Sequence, residues 1–170
     1  MILKILGTVL IIASSAGFGF LLATNHRSNI RGIYTLLNIL DFMECELNYR
    51  LTALPQLCGQ VSADHKNPIG ILFGDLGHRL ESIASPDVEQ CMNLSLQKHP
   101  DIPDAVKPML EALGKTLGRF DLNGQVQGIG AVRKSCRSAL ETLEKNKDDR
   151  IRGYKTLSLC AGLALAVLLI

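Results

Sequence analysis

The sequence predicts an all-α protein: a cytoplasmic bundle of about six helices flanked by N- and C-terminal transmembrane helices. Three observations lead there. Apolar residues in the middle of the chain recur at spacings of three and four, the period of one helix face, with little of the alternation a half-buried strand requires. Both ends are long apolar runs, and Lys4 is the only Lys, Arg, Asp or Glu outside residues 25–155. Between the ends, Pro, Gly and capping side chains recur about every short helix length.

The first apolar run, residues 5–24, makes a helix about 30 Å long, the thickness of a hydrocarbon core. Its small residues, among them Gly7, Ser14, Ala16 and Gly19, suit close approach by another helix. Ser14-Ser15-Ala16 also resembles a cleavage site, but Phe18, Phe20, Leu21 and Leu22 resume the apolar run at once. Arg27 and Arg31 follow and resist translocation, so the reading is a retained anchor. The last run, 156–170, spans about 22 Å as a helix and is apolar on every face, which points to insertion across a locally thinned bilayer. The expected organisation is therefore a transmembrane helix over 5–24, a helical bundle over 25–155 and a transmembrane helix over 156–170. Arg27 and Arg31 lie just after the first run, and Lys145, Lys147, Arg150, Arg152 and Lys155 just before the second. The positive-inside rule then puts the middle segment in the cytoplasm and both termini outside.

Within the middle segment, Ile33, Leu36, Leu37, Leu40, Met43 and Leu47 give a helix from Ile30 to about Leu51. Thr52 then reads as a cap, with Pro55 in the first turn of a helix that ends near Ala63. Pro68 opens a third helix with Ile69, Leu72, Phe73, Leu76, Leu80 and Ile83 on one face. Its glycines Gly70, Gly74 and Gly77 lower propensity but permit close backbone contact. Ser85-Pro86-Asp87 reads as cap, first position and first-turn acid of a fourth helix reaching Lys98. A fifth, with Pro108 near its start, reaches about Gly118. The sixth follows Asp121 along Leu122, Val126, Ile129, Val132, Cys136, Leu140 and Leu143, with room to run on into the last apolar segment.

The chemistry-bearing residues do not assemble into a reaction centre. The near-neutral middle segment has no basic stripe, and with no Trp, three Tyr and five Phe there is no stacking platform, so nucleic acid is not an expected partner. Five scattered cysteines fit thiols in a reducing compartment, and the four histidines lack ligand spacing. The stretch "LGRFDLNGQ" hints at a cation loop, but Val132 stands where a calcium loop needs Glu, and the G-K-[ST] of a phosphate loop is missing. Gly118 suits a helix C-terminus that needs positive φ, and Asp121 suits a cap on the next helix, with Gln125 one turn on. Glu44 and Glu46 lie two apart and face different ways, so they read as solvated charges near a helix end rather than an acid–base pair. No catalytic, metal or cofactor residues are expected, and the chain reads as a non-enzyme.

Two segments carry a resemblance. "ECELNYRLTALPQL", with Glu44, Glu46, Tyr49, Thr52 and Pro55, is similar to an E-[IL]-x-Y-x-x-T-P-L-P-E-A segment. "LGKTLGRFDLNGQ", with Gly118, Asp121 and Gln125, is similar to an L-G-x-x-L-G-x-x-D-x-x-x-Q segment. With the anchor–bundle–anchor layout, the chain resembles the stage III sporulation protein AB family of endospore-forming Firmicutes. Ala53 and Gln56 depart from the family's Pro and Glu. The family is itself similar to the cytoplasmic F domain of type II secretion and type IV pilus platform proteins. The resemblance implies a platform in the mother-cell membrane of the channel to the forespore. It also implies a stage III sporulation protein AA-type ATPase and other channel components as partners, with homo-oligomerisation left open. The competing reading from another class is a membrane-anchored sensor. Against it, only residues 1–4 precede the first apolar run, whereas a sensor usually exposes a domain between its spans.

Overall fold

The computed structural model describes the backbone of residues 2–82, 87–118 and 121–169, and the side chains of 24–82, 87–118 and 121–145. Among the described residues there are six α-helices and no strand: α1 (Ile2–Tyr49), α2 (Leu54–Asp64), α3 (Pro68–Ser82), α4 (Val88–Lys98), α5 (Lys107–Thr116) and α6 (Leu122–Leu169). The all-α expectation therefore holds, element by element and in the expected order. The first helix differs most. The expected start of a separate helix at Ile30 is absent, because α1 is continuous from Ile2. No Pro or Gly interrupts residues 25–31, so nothing in that stretch stops a helix.

The chain divides into two compact units, residues 29–140 and the pair of segments 1–28 and 141–170. The second consists of the first part of α1 and the last part of α6. Among the described residues no helix is long and apolar enough to cross a membrane. The side chains of 5–23 and 156–170, on which both expected spans rest, lie outside the described residues.

The 29–140 unit holds the core. On α1 the buried seam is Ile33, Leu36, Ile39, Leu40, Met43 and Leu47, and on α6 it is Ile129, Val132, Cys136 and Leu140. Each such aliphatic side chain contributes about 1.5–3 kcal/mol on burial. The sequence pattern had Leu37 in the α1 seam, whereas it is half-buried and Ile39 takes the central place. The pair α2–α3 packs closely because glycines face the neighbour. A Cβ on Gly74 would lie 2.5 Å from Ser62 Oγ, and one on Gly77 would lie 3.1 Å from the Pro55 carbonyl oxygen. The expected role of those two glycines is thus met.

Helix starts show two corrections. Thr52 does not cap α2. Ala53 holds that position without a side-chain bond, and Pro55 sits in the first turn as expected. For α4 the cap is Asp87 itself, whose carboxylate accepts from the Glu89 N–H at 3.1 Å. A carboxylate serves there as well as a serine hydroxyl, and Ser85 and Pro86 lie outside the described residues. On α3, Asn67 caps by accepting from the Gly70 N–H at 2.9 Å.

A polar knot joins α3 to α4. Asp75, 15 % exposed, accepts from Arg79 Nε at 2.8 Å, from the fully buried Ser95 Oγ at 2.9 Å, and from Lys98 Nζ. Burial alone raises the pKa of its carboxyl, but the bonds from Lys98, Arg79 and Ser95 outweigh that and hold it well below the usual carboxylate range. A carboxyl depressed in the folded state adds stability above its unfolded pKa, about 4, and loses it as pH falls through the folded value. Asp75→Asn should therefore lower stability at pH 7 by about 1–3 kcal/mol. In denaturant melts the gap to the parent should close steadily below about pH 4. A gap constant with pH would exclude the ion-paired carboxylate as its cause.

Candidate functional site

The two motif segments, far apart in sequence, meet at one end of the 29–140 unit. Short antiparallel helices bring the end of α1, the starts of α2, α4 and α6, and the end of α5 to the same side. Gly118 fixes the meeting. It follows α5 with φ +73°, and a Cβ there would lie 2.7 Å from Val88 Cγ2 and 3.8 Å from Leu54 Cδ2. Gly118 therefore lies against the first residue of α4 and the first residue of α2. The opposite end of the unit is marked by Gly32, whose Cβ would lie 2.9 Å from both Pro103 and Val106.

The α5–α6 joint is built as its residues suggest. Leu117 caps α5, its N–H donating to the Leu113 carbonyl, and Gly118 turns the chain in the left-handed region that glycine tolerates. Asp121 then accepts from the Gly124 N–H at 3.0 Å through its carboxylate, and its carbonyl accepts from the Gln125 N–H at 3.0 Å. Asp121 is exposed and Gln125 half-buried.

The α1–α2 joint is not what the sequence suggests. Glu46 is only 7 % exposed and is not a solvated charge. Its Oε2 accepts from Thr52 Oγ1 at 3.0 Å, and its Oε1 pairs with Arg50 at 3.2 Å. The hydroxyl of Thr52 is thus spent on the preceding helix, which is why it does not cap α2. Between them Leu51 takes a left-handed backbone, φ +51°, where a non-glycine residue costs about 1–2 kcal/mol. Leu51 is nevertheless 70 % exposed and Tyr49 85 % exposed.

Glu44 is also engaged. Arg133 on α6 pairs with Glu44 and, at 2.9 Å, with Asp41, clamping α6 to α1. Glu44 and Glu46 thus face different partners. Sequence reading missed Arg133 and the strain at Leu51. The partner of Arg133 lies 89 residues away, which local spacing cannot reveal. Leu51 had one signal, a bulky residue at a helix end where glycine or asparagine is usual.

Among the described residues no group of three or more His, Cys, Asp or Glu could hold a metal ion. Cys45 is exposed, while Cys58, Cys91 and Cys136 are buried and unpaired. Burial pushes the Cys58 thiol up to about 12 and Cys136 up to about 11, so neither supplies a thiolate nucleophile. A shallow depression along α4 and α5, lined by Glu89, Asn93, Gln97, Lys107 and Glu111, mixes both charges and brings no such group together.

Comparison with known proteins agrees with the motif resemblance. The family described as stage III sporulation protein AB matches residues 4–170, and the chain belongs to it. It is similar to stage III sporulation protein AB of Bacillus subtilis (strain 168), with 28 % identity over 170 residues covering 98 % of this chain and 99 % of that one. A solved structure of stage III sporulation protein AB (SpoIIIAB) superposes with a TM-score of 0.63 at 23 % identity, covering 72 % of this chain and 98 % of that one. The structural likeness bears on the fold alone.

If Asp121 is a cap, Asp121→Ala should cost about 0.5–2 kcal/mol in thermal or denaturant melts. Calcium and ATP should shift neither the parent's nor the variant's curve. A ligand-dependent shift seen only in the parent would replace the cap with a binding site.

Proposed function

We propose that this member of the stage III sporulation protein AB family serves endospore formation as a non-enzymatic membrane platform. Its helical unit faces the cytoplasm of the mother cell and docks a secretion-type ATPase of the stage III sporulation protein AA class. In this reading the segments 5–24 and 156–170 are the membrane helices, with both termini outside. One observation carries the docking assignment. The two segments that most resemble the family form one surface, around Gly118, Val88 and Leu54, at the end of the unit opposite Gly32. The surface carries no catalytic grouping among the described residues, which suits a binding role. Basic residues next to both apolar runs support the cytoplasmic placement.

Retention of the purified ATPase on the whole chain, held in detergent, tests the docking. Asn123, exposed on the first turn of α6, belongs to this surface, whereas exposed Asp101 is at the opposite end. Asn123→Arg should weaken retention at least about tenfold, or 1.4 kcal/mol, while Asp101→Arg leaves it unchanged. Equal effects, or no retention by the parent, would remove the docking role. In cells, exposed Cys45 is the probe of sidedness. An impermeant maleimide should label it only after permeabilisation, and labelling of intact cells would reverse the topology.

A further inference from the structure

Asn123-Gly124 is the one Asn-Gly pair in the sequence. It stands in the first turn of α6, with Asn123 exposed and Gly124 half-buried. Such a pair carries its own chemistry. The glycine nitrogen can attack the side-chain carbonyl carbon of the asparagine before it, and glycine has no Cβ to crowd the approach. Two conditions apply. The asparagine must leave helical dihedrals to bring nitrogen and carbon together, and the nitrogen must give up its proton. Neither is met while the turn is formed. Asn123 is helical, and the Gly124 N–H donates to Asp121 Oδ1 at 3.0 Å. A carboxylate is far too weak a base to take that proton, and its negative charge disfavours an amide anion beside it. The Gln125 N–H donates to the Asp121 carbonyl at 3.0 Å, so one residue holds the amides on both sides of Gly124.

We propose that Asn123 is a self-modification site, deamidating through a cyclic imide with Gly124, and that the Asp121 cap keeps it closed. In the first step hydroxide takes the Gly124 amide proton and the nitrogen bonds to Asn123 Cγ. The Cγ–Nδ2 bond then breaks, and the leaving nitrogen picks up a proton from water and departs as ammonia. Water next opens the ring at either carbonyl. Opening at Cγ leaves aspartate, and opening at the main-chain carbonyl leaves isoaspartate; water is the one co-reactant. The two products differ in consequence. Aspartate adds negative charge to the first turn of a helix, where it is favourable. Isoaspartate lengthens the main chain by a carbon, so the Gln125 N–H loses its register with the Asp121 carbonyl and the α5–α6 joint is unmade.

The full chain, held in detergent and aged in mildly alkaline buffer, tests this by mass spectrometry of the conversion of amide to acid at position 123. A free peptide of residues 117–128 is the unguarded reference. The parent should convert at least about tenfold more slowly than the peptide, because reaction waits on local opening of the turn. Asp121→Ala should speed conversion in the chain by about two- to thirtyfold, the increase in opening that loss of a cap worth about 0.5–2 kcal/mol allows. Asp121→Asn keeps an accepting oxygen and should fall between the two. Asp75→Asn lowers stability at the far end of α4 and should leave the rate at the parent's. A parent as fast as the peptide would mean that the turn guards nothing. An unchanged rate in Asp121→Ala, or an equal acceleration in Asp75→Asn, would mean that the cap is not the guard. Each of these results overturns the proposal.

Discussion

Everything at the motif-bearing end depends on one close approach, that of the Gly118 backbone to Val88 and Leu54. A β-branched side chain at 88 cannot swing aside, so the space exists only because residue 118 has no Cβ. The same residue needs φ +73° to turn the chain out of α5 and into α6. Steric room and backbone freedom are thus required at a single position. Together they bring the end of α5 against the starts of α4 and α2, so that two distant segments meet.

Polar bonds then stiffen that end of the unit. Arg133 ties α6 to Asp41 and Glu44 of α1, and Glu46 ties the end of α1 to Thr52. Removing one partner from a buried charged group leaves the other unsatisfied, so these bonds specify geometry more than they add net stability. The strain at Leu51 is held in place by the same Glu46 that fixes its neighbours. Rigid presentation lowers the ordering cost of any partner that binds there, which is the physical advantage the proposed docking role would draw on.

The helices themselves were legible because their signals are local: period-3.6 seams, Pro in first turns, Gly118 at a C-terminus and Asp121 at a cap. Their assembly was less so. Thr52 and Asp87 show why: the Thr52 hydroxyl is taken by Glu46 of the preceding helix, and before α4 two capping side chains, Ser85 and Asp87, stand two residues apart in the sequence. Glu46 looked like a surface charge because an i,i+4 pair with Arg50 is ordinary on an exposed helix face, and nothing in its own turn announces that Thr52 will fold back over it. Arg133 was invisible for the same reason at longer range. The glycines of α3 were readable as contact points, but not which atoms they would meet. Ser62 and Pro55 come from a different helix. The meeting of the two motif segments followed only from the direction of each helix in the bundle.

A double-mutant cycle between Gly118 and Val88 tests the central claim most directly. Gly118→Ala introduces both strain and a clash, and Val88→Ala removes the clashing methyl while leaving the strain. Denaturant melts of the parent, both single variants and the double variant give the coupling. The account predicts that Val88→Ala recovers part of the Gly118→Ala loss, with a coupling of at least about 0.5 kcal/mol, beyond the scatter of independent sites. Strict additivity would mean that residue 118 does not press on the start of α4, and that this close approach does not position the end of α5.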